Sequence, residues 1–166
     1  MKLSNAIKSA VPAAILGILA LGITPMAGAS TVTSNMAVTA SVQATCIVNA
    51  AAMAFGTYVS TAASTSTANI TVTCTNSTTY TLGLDAGATS GASVTTRQMK
   101  NGAAVLNYAL FSDAGHTTNW GNTTGSWVSG IGNGAGQAIP VYGQAAAGQY
   151  VTPGAYSDSI TATVTY

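Results

Sequence analysis

The 166-residue chain is 48% hydrophobic but only 4% charged, with four Lys or Arg, three Asp and no Glu. Neither sign dominates, so the composition offers no field to hold nucleic acid or an anionic membrane surface. A single His and two Cys leave little material for a metal centre or redox chemistry.

The chain opens on a segment that reads as a secretion signal. Lys2 and Lys8 precede the apolar run "VPAAILGILALGI" (11–23), and "AGA" (27–29) supplies small residues for a peptidase. Cleavage is expected after Ala29, giving domain boundaries of 1–29 for the signal and Ser30 as the mature N-terminus. A retained anchor is the rival reading. The run is too short to span a bilayer comfortably, and no later segment resembles a membrane helix, so no membrane insertion of the mature chain is expected. The mature charges are Arg97 and Lys100 against Asp85, Asp113 and Asp158, two minus three, or −1. Solubility then rests on hydroxyl and amide side chains, which suits a protein that ends up packed in an assembly.

The first periodic element is "SNMAVTASVQATC" (34–46). Met36, Val38, Ala40, Val42 and Ala44 alternate with mostly polar residues, the period of a strand with one dry face. It has no hairpin partner before it. Cys46 and Cys74 are the only cysteines, and export makes a disulfide between them the expectation. Closing that loop would remove about 3–4 kcal/mol of unfolded-state entropy; two buried free thiols are the alternative.

"STAASTSTAN" (60–69) reads as a polar connection. "ANITVTCT" (68–75) alternates Ile70, Val72 and Cys74 against threonines, and "TYTLGLDAG" (79–87) aligns Tyr80, Leu82 and Leu84. "AVLNYALFSD" (104–113) aligns Leu106, Tyr108 and Leu110 before a turn. "GSWVSGIGNGAGQ" (125–137) lacks the Lys-Ser/Thr ending of a phosphate loop and reads as a flexible surface loop. "QAIPVYGQ" (137–144) carries Pro140, which predicts an edge or a bulge. The last segment, 156–166, places Tyr156, Ile160, Ala162, Val164 and Tyr166 on one face. Short strands at this spacing, without helical periodicity, predict an all-β sandwich in one domain.

Catalytic material is thin. His116 lies in a turn-like stretch and reads as an exposed loop residue, and no G-x-S-x-G elbow accompanies it. Asp85, Asp113 and Asp158 sit near strand ends, where turn capping explains them. No ligand spacing for a metal and no cofactor motif is present, so no enzyme, metal or cofactor is expected. Trp120, Trp127 and the tyrosines could line a sugar platform, although such residues more often fill a sandwich core. The Asn-x-Ser/Thr matches at Asn69, Asn76 and Asn122 are expected by chance in a Thr-rich chain.

The ordered set of segments resembles the spore coat protein U domain family, which includes the subunits of archaic chaperone–usher (Csu-type) pili. The matching pieces are the alternating arm into Cys46, "FGTY" (55–58), "ITVTCT" (70–75), "YTLGLDAG" (80–87), "RQMKNG" (97–102), "LNYALFSDAGHTTNWGN" (106–122), "IPVYGQ" (139–144) and "PGAYSDSITATVTY" (153–166). The resemblance implies an incomplete immunoglobulin-like β-sandwich, completed by a donor strand from a neighbouring subunit or a chaperone. It further implies a structural pilus subunit that polymerises head-to-tail with other copies of itself. A periplasmic chaperone and an outer-membrane usher would be its assembly partners, and the cell surface its destination, for adhesion and biofilm formation.

Residues 30–44 then become a donor-strand arm, with Val32, Ser34, Met36, Val38, Ala40 and Val42 facing inward, and 45–166 the pilin domain. Burying the five apolar donors would contribute roughly 5–10 kcal/mol. The C-terminal face, Tyr156, Ile160, Ala162, Val164 and Tyr166, is placed to border the groove and to pair with a chaperone. The alternatives are a tip or adaptor adhesion module and a self-complemented secreted coat protein.

Overall fold

The computed structural model describes residues 28–166. The expected signal sequence therefore lies, apart from its last two residues, outside the described part. The chain divides after Ala40 into two units. In the first, residues 28–40 carry no secondary structure and are exposed.

The second unit holds eight strands and, among the described residues, no helix. These are β1 (Cys46–Ala50), β2 (Ser64–Cys74), β3 (Thr79–Leu84), β4 (Arg97–Asn101), β5 (Ala104–Phe111), β6 (Val128–Ile131), β7 (Gly136–Ala145) and β8 (Ala162–Thr165). They form a five-stranded sheet ordered β1-β2-β7-β5-β4 and a three-stranded sheet ordered β6-β3-β8. All pairings are antiparallel. The expected all-β, two-sheet sandwich is what forms.

The alternation read from the sequence is the alternation that is buried. Ile70, Val72 and Cys74 of β2, Tyr108 and Leu110 of β5 and Val141 of β7 meet Tyr80, Leu82 and Leu84 of β3 in one core. Opposite them, β2 turns Thr65, Thr67, Asn69, Thr71 and Thr73 outward, so its exposed face is almost wholly threonine.

Three expectations need correction. Residues 64–69 belong to β2, not to a connection: their inward positions are Ser64, Ser66 and Ala68, too small to register as hydrophobic alternation. Residues 128–131 form the edge strand β6, not a flexible loop. Gly130 is there because a Cβ at that position would collide with the ring of Tyr80. Strand β7 is central, not an edge, and Pro140 opposes Asn69. The ladder to β5 spans only Tyr142–Gln144, so Pro140 lies beyond it, where a missing N–H is tolerated.

Two covalent or polar anchors hold the sandwich. Cys46 and Cys74 form the expected disulfide between directly opposed residues of β1 and β2. Arg97 is fully buried at the start of β4. Its Nε donates to the Asp85 carbonyl (2.8 Å), its Nη1 to Val94 (2.6 Å), and its Nη2 to Leu84 (3.2 Å) and Trp120 (2.6 Å). One planar cation on the large sheet thus satisfies carbonyls at the end of β3 and in the loops carrying Val94 and Trp120, a geometry that Lys cannot reproduce.

Arg97→Met is expected to destabilise the domain by about 3 kcal/mol or more, because it strands several buried carbonyls. Arg97→Lys should recover only part of that loss, as read by urea denaturation. Replacing both cysteines by alanine should cost about 2–4 kcal/mol, and reductant should then no longer shift the unfolding midpoint.

Candidate functional site

The C-terminal segment decides the shape of the sandwich's open side. It does not run as one strand from 156 to 166. Ser157 exchanges two backbone hydrogen bonds with Lys100 of β4 (2.9 and 3.1 Å), and only Ala162–Thr165 pairs with β3. Between them, carboxylates replace the ladder. Asp158 Oδ1 accepts from the Ser159 (2.8 Å) and Ala88 (2.9 Å) amides, while its Oδ2 accepts from the Tyr108 hydroxyl (2.7 Å). Asp85 Oδ1 accepts from the Thr161 (2.9 Å) and Gly87 (3.0 Å) amides. Side-chain capping, expected of these aspartates, here steers a whole segment across from one sheet to the other.

The consequence is a one-sided edge. Thr161 bonds β3 through the Asp85 amide, and Thr163 and Thr165 oppose Gly83 and Thr81. By the alternation of an antiparallel ladder, the backbone groups of Ile160, Ala162 and Val164 then turn away from β3. Their side chains are half-buried against the core. Tyr156 is half-buried as well, whereas Tyr166 is exposed.

Opposite this edge runs the chain after β1. Met53 and Phe55 pack onto the inner face of the large sheet, where Gly143 leaves room that a Cβ would fill. Phe55 stands edge-on to Tyr108 (5.7 Å between ring centres). The Ser64 and Ser66 hydroxyls donate to the Phe55 and Ala54 carbonyls (2.8 and 2.7 Å), fastening this wall to β2. Between the walls lies a cleft of about 470 Å³ floored by Ile70, Leu84, Leu110 and Val141. Beyond Met53, Met99 and Tyr156 it continues into a second cleft of about 860 Å³, lined by Phe55–Tyr58 and Gln149–Ala155. The two form a groove over the domain's own core, bordered by an unpaired strand edge.

Only part of this groove was foreseen. Of the C-terminal residues that alternation picks out, Tyr156, Ile160 and Ala162 line the cleft, whereas Val164 and Tyr166 do not. The wall at 50–55 was missed, because "AAAMAF" carries no period of two; the quoted "FGTY" was its only trace. Trp120 is wholly buried, with its Nε1 donating to the Leu82 carbonyl (2.9 Å), and so cannot serve a surface platform. Trp127 is partly exposed. His116 is half-buried, edge-on to Phe111 (5.2 Å) and Tyr142 (6.4 Å), not a free loop residue. Asp113 caps the same loop through the Thr117 and Thr118 amides (3.1 and 2.7 Å). No group of His, Cys, Asp or Glu suited to a metal occurs among the described residues.

In the arm, Val32, Met36, Val38 and Val42 are 92%, 84%, 82% and 88% exposed, and among the described residues no strand precedes Cys46. An uncharged segment with this many bare apolar side chains has an unmet demand for burial.

The Asp85 carboxylate makes the edge acid-sensitive. Burial raises the Asp85 carboxyl, but hydrogen bonds from Thr161 and Gly87 and the charge of Arg97 outweigh it and hold the group below its ordinary value. A depressed folded-state value contributes stability above the unfolded pKa and loses it as pH falls through the folded one. Stability is therefore expected to drop below about pH 4. Asp85→Asn should flatten that drop in urea titrations at successive pH values.

Comparison with known proteins agrees with this architecture. The Spore Coat Protein U domain model matches residues 32–163. Protein U of Myxococcus xanthus is 34% identical over 179 residues, covering 98% of this chain and 99% of that protein. Among solved structures, the chain is similar to one in the crystal structure of the CsuC–CsuE chaperone–tip adhesion subunit pre-assembly complex, from the archaic chaperone-usher Csu pili of Acinetobacter baumannii. That match has a TM-score of 0.57 at 23% identity and covers 75% of this chain but only 40% of the other. At that identity the likeness is one of fold, and it places the two sheets in an immunoglobulin-like arrangement. With the disulfide and nearly all of the sandwich inside the matched span, the chain belongs to the spore coat protein U domain family.

Proposed function

We propose that the protein is a structural subunit of a chaperone–usher pilus, exported through the periplasm and built into a surface fibre by donor-strand exchange. It has no catalytic role in this reading. The observation that carries it is the groove: an apolar floor continuous with the core, bordered by Ile160 and Ala162, whose backbone groups turn away from β3. A strand laid there would gain a ladder on one side and side-chain burial beneath.

The arm has the required chemistry. Val32, Met36, Val38, Ala40 and Val42 are apolar at every second position, Ser34 is small, and no charge falls between Ser30 and Cys46. A periplasmic chaperone would fill the groove first, and the arm of the next copy would replace it at the usher. Such an interface is head-to-tail and does not close, so open fibres follow. Adhesion and biofilm formation would be properties of the assembled fibre.

A second reading has an observation of its own. Protein U matches this chain over nearly its full length, and a self-complemented secreted coat protein would use the same alternation within one chain. A tip or adaptor role, in turn, would have to act through exposed aromatics such as Trp127 or Tyr150, since Trp120 is buried.

Deleting residues 30–42 separates the readings. A donor-strand pilin lacking them is expected to reach the periplasm and bind its chaperone, yet form no fibres and no SDS-resistant, heat-labile multimers. Normal multimers from the truncated chain would refute donor-strand exchange. A full-length chain that stays a stable monomer without a chaperone would favour the coat protein.

A further inference from the structure

The donor-strand reading has a geometric corollary at the root of the arm. Strand β2 spans eleven residues, about 35 Å at strand rise, and defines two poles. At one pole Cys74 opposes Cys46; at the other Ser64 opposes Ala145. The root of the arm and Tyr166 share the first pole with the Thr75–Thr79 turn, where they line a socket of about 530 Å³. Thr75 organises it: its amide donates to the Thr45 carbonyl (2.9 Å), and its hydroxyl accepts from the Thr45 amide (3.2 Å) and meets the Thr78 hydroxyl (2.6 Å). No charged side chain lines the socket, and Val42 and Tyr166 are both exposed.

The opposite pole is where the groove opens, at Phe55–Tyr58 and Gln149–Tyr156. Tyr58 staples its loops, donating to the Ala146 carbonyl (2.7 Å) and accepting from the Gln149 amide (3.1 Å). Beside this staple Tyr150 is 86% exposed, the barest aromatic ring on the domain. No charged residue lines this mouth either.

A linear fibre fixes the direction of insertion. Each copy sends its arm out at the socket pole, so an arm entering a neighbour there would set two domains against the same end. Entering from the mouth pole keeps the copies in line, with the arm antiparallel to β8. Val42, the last apolar donor, precedes Cys46 by four Cα steps, at most about 14 Å. A tether that short leaves no room for a gap between domains. We propose that the socket formed by the arm root, the Thr75–Thr79 turn and Tyr166 seats the mouth pole of a second copy of this chain, with Tyr150 as the side chain it receives. The joint between subunits is then a packed contact, not a flexible link.

This inference rests on the donor-strand reading but fails separately from it. Fibres would be grown from the full chain carrying Asn76→Cys and Thr152→Cys, one exposed position at each pole with Tyr150 left in place, and treated with a short bis-maleimide. The native cysteines, held as a disulfide, do not react. The expected result is a ladder of multimers that survives boiling in SDS, and at least a several-fold fall in ladder yield when Gly-Ser-Gly-Ser is inserted between Gln43 and Ala44. Fibres that form but boil to monomers after treatment would overturn the contact while leaving donor-strand exchange standing. So would a ladder unchanged by the insertion. Absence of fibres from the unmodified chain would instead sink the donor-strand reading, and this contact with it.

Discussion

The free edge of β8 is the constraint on which the rest of the molecule turns. A strand with a ladder on one side and apolar side chains below presents a row of unpaired backbone groups that is a template for a further strand. Here that further strand is missing from the sandwich, and the groove floor is the core itself: Ile70, Leu84, Leu110 and Val141 line it. A protein built this way has a strong thermodynamic reason to bind an extended, alternating, uncharged segment. The arm preceding Cys46 is such a segment.

An open groove weakens a fold, and the remaining contacts can be understood as compensation. The disulfide joins the first strand of the large sheet to its neighbour at the pole where the arm departs. Arg97 gathers carbonyls that would otherwise be buried unpaired, and Trp120 closes the same region by donating to Leu82. Asp85 and Asp158 hold residues 158–161 in the crossing between sheets, with Tyr108 buried against Asp158, its hydroxyl held protonated by burial and then by that carboxylate. Tyr108 and Asp158 themselves line the cleft, so part of this anchoring is built into its wall. They hold the edge in position without satisfying it.

How much of this was legible in the sequence follows from what alternation can and cannot report. Strands whose inward residues are large and apolar declared themselves: Tyr80, Leu82 and Leu84, or Leu106, Tyr108 and Leu110, are buried as their spacing predicts. Strands with small inward residues did not, and β2 before Ala68 and β6 around Gly130 were read as loops for that reason. Pro140 misled because its tolerance depends on where the β5 ladder stops, a tertiary fact. The C-terminal segment looked like one strand because its side chains alternate throughout. What interrupts it is a pair of carboxylates, one of them on a distant loop. The second wall of the groove had no periodic signal, since Met53 and Phe55 fit the space over Gly143 and not a pleat.

The most direct measurement is amide hydrogen exchange on a chain lacking residues 30–42, with and without a synthetic peptide of residues 31–43. Donor-strand pairing predicts that the peptide slows exchange at Ile160, Ala162 and Val164 by about tenfold or more, while Thr163 and Thr165, already bonded to β3, change far less. Equal exchange at those three amides with and without the peptide would contradict it.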